Sequence, residues 1–454
     1  MSKTTDRALG TNALRILLLL LIIGLAASLG LAAAGCGDDE EVTTTAGPAT
    51  TAGPATTAGP ATTAGPATTA GPATTAAPPV DLPSSIKVGA VIPLTGKYSG
   101  LGAQVKGGYE LAVKDINDAG GVDIGGTKVP IDLQILDDES DPVKTVQQME
   151  THNSAGVVAY LGGAGSDLHA AAAGIAEKNK IPYLGIAFAL QTPHEQGFKY
   201  LFSPFPKSKD HARVTFELLD SFSPKPSKVA IFQEKTDWGA EMTRLWKAEA
   251  DARGGYEIEV YEYAPGTTDY SSMVMPAKNA GAEVLLALPS SPDGLAMMKQ
   301  VKELDWNAKV YFLVRAPDPP TFGENLGADS DGVFLLPGWN AGVPYEGVAE
   351  MAERHKAVIG GPAVALTGPS YACVQILADS ISRAASVDRD AIRDAMAATD
   401  LDTMVGHVTF AEDGTWIDAL DPINQWQGGK QALVFPADIA LTAPIYPAVP
   451  WKER

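Results

Sequence analysis

From Ile86 onward two hydrophobic patterns alternate along the chain. Short runs rich in Val, Ile and Leu fall at Ile86–Pro93, Val129–Leu136, Val157–Leu161, Ile181–Ile186, Lys228–Gln233, Tyr256–Tyr263, Glu283–Leu288, Val310–Val314 and Val333–Leu336. Their length and β-branched content predict strands. Between them the period changes to that of a helix. Val105, Tyr109, Ala112, Val113 and Ile116 share one helical face, and Gly120-Gly121 ends it. Asp141-Pro142 is an N-cap followed by proline in the first turn, and Ala240–Arg253 reads as a helix closed by Gly254-Gly255. Strands that alternate with helices predict an α/β protein with parallel sheets covered on both faces. Nearly 370 residues follow Ile86, more than one typical core holds, so two lobes are expected.

The first 85 residues read differently. Lys3, Arg7 and Arg15 precede an almost wholly apolar run from Ile16 to Ala34. A basic start, an apolar stretch and a small-residue exit make a secretory signal peptide, expected over 1–35. A retained transmembrane anchor is the alternative, since the run is long enough to span. Ala33-Ala34-Gly35-Cys36 resembles the bacterial lipobox, with Ala33 where Leu is usual. It implies lipid attachment at Cys36, and two or more acyl chains hold a protein on a bilayer stably. The hexapeptide Ala-Gly-Pro-Ala-Thr-Thr then repeats five times from Ala46 to Thr75. It lacks bulky apolar side chains to bury, so residues 36–82 are expected to form an extended tether.

Composition narrows the function. The net charge is −20, which argues against a nucleic-acid partner. If Cys36 carries lipid, Cys373 has no partner for a disulfide, and its apolar neighbours predict a buried, inert thiol. The histidines at 152, 169, 194, 211, 355 and 407 show no metal-ligand spacing and no nucleophile partner, and are read as surface or hydrogen-bonding groups. No cofactor or metal is expected, and no enzyme activity.

In open parallel sheets ligands bind beyond the carboxyl ends of the strands. That directs attention to the loops Thr95–Gly102, Gly162–Ser166, Ala187–Leu190, Thr236–Gly239, Pro289–Asp293 and Arg315–Asp318. Gly162-Gly163-Ala164-Gly165-Ser166 follows a strand and opens a helix, so it is either an anion seat with the Ser166 hydroxyl as a donor or a tight turn that needs glycine. The acidic run from Asp137 to Asp141 lacks the glycine and final Glu of a calcium loop and reads as a helix-capping turn. Trp238 lies outside any periodic stripe and reads as a pocket wall.

These residues together resemble leucine/isoleucine/valine-type periplasmic binding proteins. The likeness rests on Ile86–Gly89, Pro93–Gly96, Gly107–Ala112, Asp115–Asn117, Gly120-Gly121, Asp137–Pro142, the loop ending at Ser166, Asp237–Gly239, Gly406–Phe410 and Gln425-Trp426. The resemblance implies a type I binding-protein fold: two doubly wound lobes, each with a parallel sheet, joined by three hinge crossovers. Lobe 1 is expected from 83–205 and 338–420, lobe 2 from 206–337 and 421–454. The implied function is solute capture for an ABC importer, with the lobes closing over an amino acid or related small carboxylate or amide and docking on permease subunits. A sensor of the same fold coupled to signalling is the alternative, and an envelope hydrolase is disfavoured.

The resemblance also implies the pocket. Ser166 falls on the carboxylate-binding serine, Ala187 on a backbone contact, and Trp238 on an aromatic of the second lobe. Ser291 lies on a post-strand loop of that lobe. Ala189 stands where Thr is usual and Leu101 where an aromatic is common. Arg315 stands near the acid that takes the ligand ammonium; it either contacts ligand or pairs with a carboxylate or solvent. Asp318 is the acid that can replace it if the loop is displaced. On these departures a simple branched-chain amino acid is not the expected ligand. Cys36→Ser should release the protein from membranes on fractionation; unchanged retention would favour the transmembrane anchor.

Overall fold

The computed structural model describes residues 82–454. The expected signal peptide, Cys36 and the tether through residue 81 lie outside the described residues. Among those described, no helix is long and apolar enough to cross a membrane.

The first sheet is built early. Strand β1 (Ile86–Ile92) leads to a small hairpin of β2 (Val122–Ile124) and β3 (Thr127–Val129), then β4 (Ile131–Asp137), β5 (Ala159–Leu161), β6 (Tyr183–Leu184) and β7 (Leu201–Phe202). The order is β4-β1-β5-β6-β7, and every pair is parallel. The second sheet takes β8 (Lys228–Glu234), β9 (Glu257–Tyr263), β10 (Val284–Ala287), β11 (Val310–Phe312) and β12 (Val333–Leu335). The chain then returns to the first lobe for three helices and the hairpin of β13 (Asp400–Thr403) and β14 (Gly406–Thr409). It crosses back to finish the second sheet with β15 (Ile423–Gln427) and β16 (Lys430–Phe435), in the order β16-β15-β12-β11-β10-β8-β9. Three chain segments therefore join the sheets, around 203–207, 336–347 and 410–422.

Two expectations change. The second sheet is mixed: β15 runs antiparallel to β12, and β16 antiparallel to β15. Several strands are also shorter than the apolar runs that announced them. The run Val129–Leu136 breaks at Pro130, which has no N–H for the ladder. The run Ile181–Ile186 keeps only β6, because the Ile181 N–H closes the preceding helix on Ala176 O and Ala187 turns into a left-handed backbone at φ 52°.

Other expectations hold. Asp141 caps the helix Pro142–Ser154, accepting from the Val143 and Lys144 amides. Cys373 is fully buried, and burial pushes its thiol pKa up. Five of the six histidines are buried rather than on the surface, and only His407 is exposed. His152, His169, His194 and His355 each bond a backbone carbonyl, which makes their burial tolerable.

The first lobe is closed by helix Thr367–Ala384 packing on helix Ser99–Asp118. Gly108 sets that approach: a Cβ there would lie 1.9 Å from Ser370 Oγ and 2.6 Å from Thr367 O. Gly108→Ala must push the helices apart at a cost of about 1–3 kcal/mol, against about 1 kcal/mol recovered from helix propensity. On those figures urea denaturation should show a net loss of up to about 2 kcal/mol; a net gain in stability would mean the two helices do not pack this tightly.

Candidate functional site

The loops beyond the strand ends converge on one pocket of about 370 Å³, including its open mouth, between the two lobes. The first lobe supplies Leu101, Gly165, Ser166, Ala187, Ala189 and Leu366; the second supplies Trp238, Val314, Arg315 and Asp318. Phe205, His211, Leu336 and Pro337 form the wall nearest the crossovers.

Ser166 is the first residue of helix Ser166–Asn179, and no side chain caps that helix. Its first free amides therefore have no partner within the helix, and its dipole favours a negative charge at the pocket. Gly165 before it has φ 115°, and a Cβ there would meet the Tyr98 ring at 2.5 Å, so the glycine lets Tyr98 lie across the helix start. Two pocket residues besides glycine hold left-handed backbone, Ala187 at φ 52° and Val314 at φ 39°. For the β-branched Val314 this is strained, a feature that gathers at binding sites.

Arg315 is buried and turned into the pocket. Its Nη2 donates to Glu234 Oε2 at 2.6 Å, its Nε to Pro289 O at 3.3 Å, and its Nη1 reaches Tyr98 Oη at 3.4 Å. The guanidinium carbon lies 4.9 Å from the Trp238 ring centre and 5.1 Å from that of Tyr98. Trp238 is itself fixed by its indole N–H, which donates to Ser208 Oγ at 3.2 Å. Burial pulls the guanidinium pKa down, but Glu234 opposes it and the net direction is up. Burial pushes the Glu234 carboxyl up, and Arg315 only partly opposes it. The geometry decides for a charged pair, because a guanidinium does not lose its proton near neutrality. Tyr98 and Arg315 come from opposite lobes, as do the Gln191 amide and its acceptor Glu241 Oε1 at 3.0 Å, so the two lobes touch across the mouth.

Asp318 is different. It is 3 % exposed, it lines the pocket, and its Oδ1 has no hydrogen-bond partner among the described residues. Arg315 forms no ion pair with it, being held by Glu234. Burial raises the Asp318 pKa well above the ordinary carboxyl range, and Arg315 opposes only part of that. At the rear wall, His211 Nδ1 lies 2.6 Å from Asp421 Oδ2, and both side chains are buried. At the mouth, Lys97 pairs with Asp167 at 2.8 Å.

Seven of the eight expected pocket residues thus meet: Leu101, Ser166, Ala187, Ala189, Trp238, Arg315 and Asp318. Ser291 does not line the pocket. It is the first residue of a helix whose cap is Ser290, so it sits one step past the turn that faces the cleft. Arg315 turns out to pair with a carboxylate and to face the pocket as well. Glu234, Tyr98, Phe205 and the His211–Asp421 pair were not anticipated. Glu234 had a signal, as an acid at the carboxyl end of a strand with an apolar centre; His211 and Asp421, 210 positions apart, had none. Among the described residues, no group of three or more His, Cys, Asp or Glu is placed to hold a metal ion.

The periplasmic binding protein family model matches residues 85–429. The chain belongs to the periplasmic binding protein family. The family and its fold are those of substrate-binding proteins rather than enzymes. A Leu/Ile/Val-binding protein homologue of Brucella melitensis is 26 % identical, covering 76 % of this chain and 93 % of the relative. A second homologue, from Brucella abortus, is 25 % identical over 79 % of this chain and 92 % of its own. The fold matches a leucine-binding protein of Thermotoga maritima at a TM-score of 0.70, with 20 % identity, 77 % of this chain and 97 % of that one. It matches a Streptococcus pneumoniae branched-chain amino acid binding protein in complex with isoleucine at 0.69, with 18 % identity, 78 % and 100 %. An ABC transporter solute-binding protein from R. palustris in complex with benzoate matches at 0.67, with 19 % identity, 79 % and 97 %.

An acid with a raised pKa stabilises the fold only while protonated. Asp318 therefore contributes fully below its unfolded pKa, near 3.8, and its contribution falls as pH rises toward its folded value. Asp318→Asn should accordingly raise the melting temperature of this binding protein at pH 7, with a gain that shrinks as pH falls toward 4. A loss of stability at pH 7 would mean that Asp318 is charged and paired in the folded protein.

Proposed function

We propose that this binding protein captures an amino acid or a closely related small carboxylate between its lobes, with the carboxylate at Ser166 and a ligand donor on Asp318. The observation that carries the reading is the unpartnered Asp318 Oδ1, buried in the same pocket as the uncapped start of helix Ser166–Asn179. A buried acid without a partner is costly, and a ligand ammonium removes that cost. Apolar walls at Leu101, Ala187, Ala189, Leu336 and Leu366 leave the rest of the ligand to be carbon.

Glu234 neutralises the arginine that stands in place of an acid, and Asp318 offers an acid, so of the departures that count against a simple branched-chain amino acid only Ala189 and Leu101 remain. The relatives named for leucine, isoleucine and valine, and the neighbours holding isoleucine or benzoate, support a ligand of this size and charge. In this reading the protein works outside the cytoplasm, held to the membrane by lipid on Cys36, and passes its ligand to the permease subunits of an ABC importer. The folded lobes begin at Ile86, and the repeat lies between them and Cys36 in the sequence.

Leucine, isoleucine and benzoate test the reading by thermal shift and calorimetry. Ser166→Ala should weaken any carboxylate that binds by about 1.5–3 kcal/mol, the usual loss for a hydrogen bond to a charged group. Asp318→Asn should abolish amino acid binding and spare benzoate, which has no ammonium. Wild-type affinity in both variants would remove these residues from the site.

A further inference from the structure

We propose that His211 selects the ligand: its Nε2 meets a hydroxyl or carboxamide on the ligand's side chain, while Asp421 holds the ring in place. The inference rests on the carboxylate reading above and deepens it, giving the otherwise carbon body of the ligand one polar group.

The side chains that bring polar atoms to the pocket are Ser166, His211, Trp238, Arg315 and Asp318. All but one are accounted for. Ser166 and Asp318 meet the charged ends of the ligand in that reading. Arg315 is held by Glu234 and Pro289 O, and the Trp238 indole N–H by Ser208 Oγ. His211 remains. It stands in a wall with Phe205, Leu336 and Pro337, where a polar atom without a partner is costly.

The ring is placed from three sides. Its Nδ1 lies 2.6 Å from Asp421 Oδ2, on the third crossover. The Phe205 ring, from the first crossover, meets it edge-on with centres 6.1 Å apart. Its backbone is fixed in helix Ser208–Ser221, the N–H donating to Lys207 O at 3.0 Å and the carbonyl accepting from Thr215 Oγ1 at 2.6 Å. Nε2 makes no hydrogen bond among the described residues. Histidines that only tie this fold together look different. His169, His194 and His355 each bond a backbone carbonyl through Nδ1, and each has its Nε2 shut away without a partner. The Nε2 of His211 is not enclosed in this way, and its ring lines the ligand pocket.

The hydrogen bond on one ring nitrogen sets what the other offers. Nε2 accepts if neutral His211 donates from Nδ1 to an ionised Asp421, and donates if Nδ1 accepts from a protonated Asp421. A hydroxyl or a carboxamide serves either case, and a methyl group serves neither. A second ligand carboxylate would only accept, and would add negative charge near the buried Asp421.

Calorimetry on the purified full chain tests this with two pairs of like-shaped probes, asparagine against leucine and threonine against valine. In the wild type the polar member of at least one pair should bind tighter, and which pair it is tells carboxamide from hydroxyl. His211→Phe should cut that preference by about tenfold or more, the loss of one buried hydrogen bond, and leave the apolar member within about twofold of wild type or tighter. That variant strips Asp421 of its partner; should it fold poorly, His211→Phe combined with Asp421→Leu removes both groups and serves the same comparison. Wild-type preference for the apolar member of both pairs, a polar preference that persists in the variant, or an equal loss by all four ligands would overturn the His211 contact and leave the carboxylate reading standing. No binding by any of the four to the folded wild type would overturn both.

Discussion

A guanidinium cannot shed its charge, so a buried one dictates what stands around it. Arg315 sits between the lobes at 8 % exposure, and the cleft is arranged to make that tolerable. Glu234 at the end of β8 takes one edge of its fork, the Pro289 carbonyl takes Nε, and the Tyr98 and Trp238 rings flank it from the two lobes. The consequence falls on Asp318. With the nearest cation already neutralised, its Oδ1 has no partner among the described residues, which is what the proposed ligand donor would satisfy.

In the proposed reading, that arrangement lets a pocket with an arginine in it take a carboxylate without depending on the arginine. The uncapped helix at Ser166 and the unpartnered Asp318 present opposite polarity to one small space, which is what a zwitterion requires. Arg315 instead bridges the lobes: its ring contacts reach both of them, and it shapes one wall of the pocket. Removing Glu234 would leave an unpaired buried cation, and such losses are large compared with those of surface pairs.

The fold was largely legible because its signals are local. Short Val/Ile/Leu-rich runs, glycine pairs after helices and the Asp141-Pro142 cap each act within a few residues, and each reappears in the structure. What escaped was long-range. The antiparallel return of β15 and β16 beside β12 depends on a chain that has visited the other lobe in between. The site divided in the same way. Ser166, Trp238, Arg315 and Asp318 follow strands directly and were found by position. Glu234 acquires meaning only from Arg315, 81 residues away, and His211 only from Asp421. Ser291 failed for a local reason: in a Ser-Ser pair the first residue took the cap, and one step along a helix start turns a side chain out of the cleft.

In the proposed reading, Asp318 and the start of helix Ser166–Asn179, not Arg315, hold the charged groups of the ligand. A crystal structure of the protein with its bound solute tests this most directly. The expected result is a ligand carboxylate within hydrogen-bond distance of Ser166 Oγ, a ligand donor on Asp318 Oδ1, and the Arg315–Glu234 pair intact. A ligand carboxylate seated on Arg315 with Glu234 displaced, and Asp318 still without a partner, would contradict it.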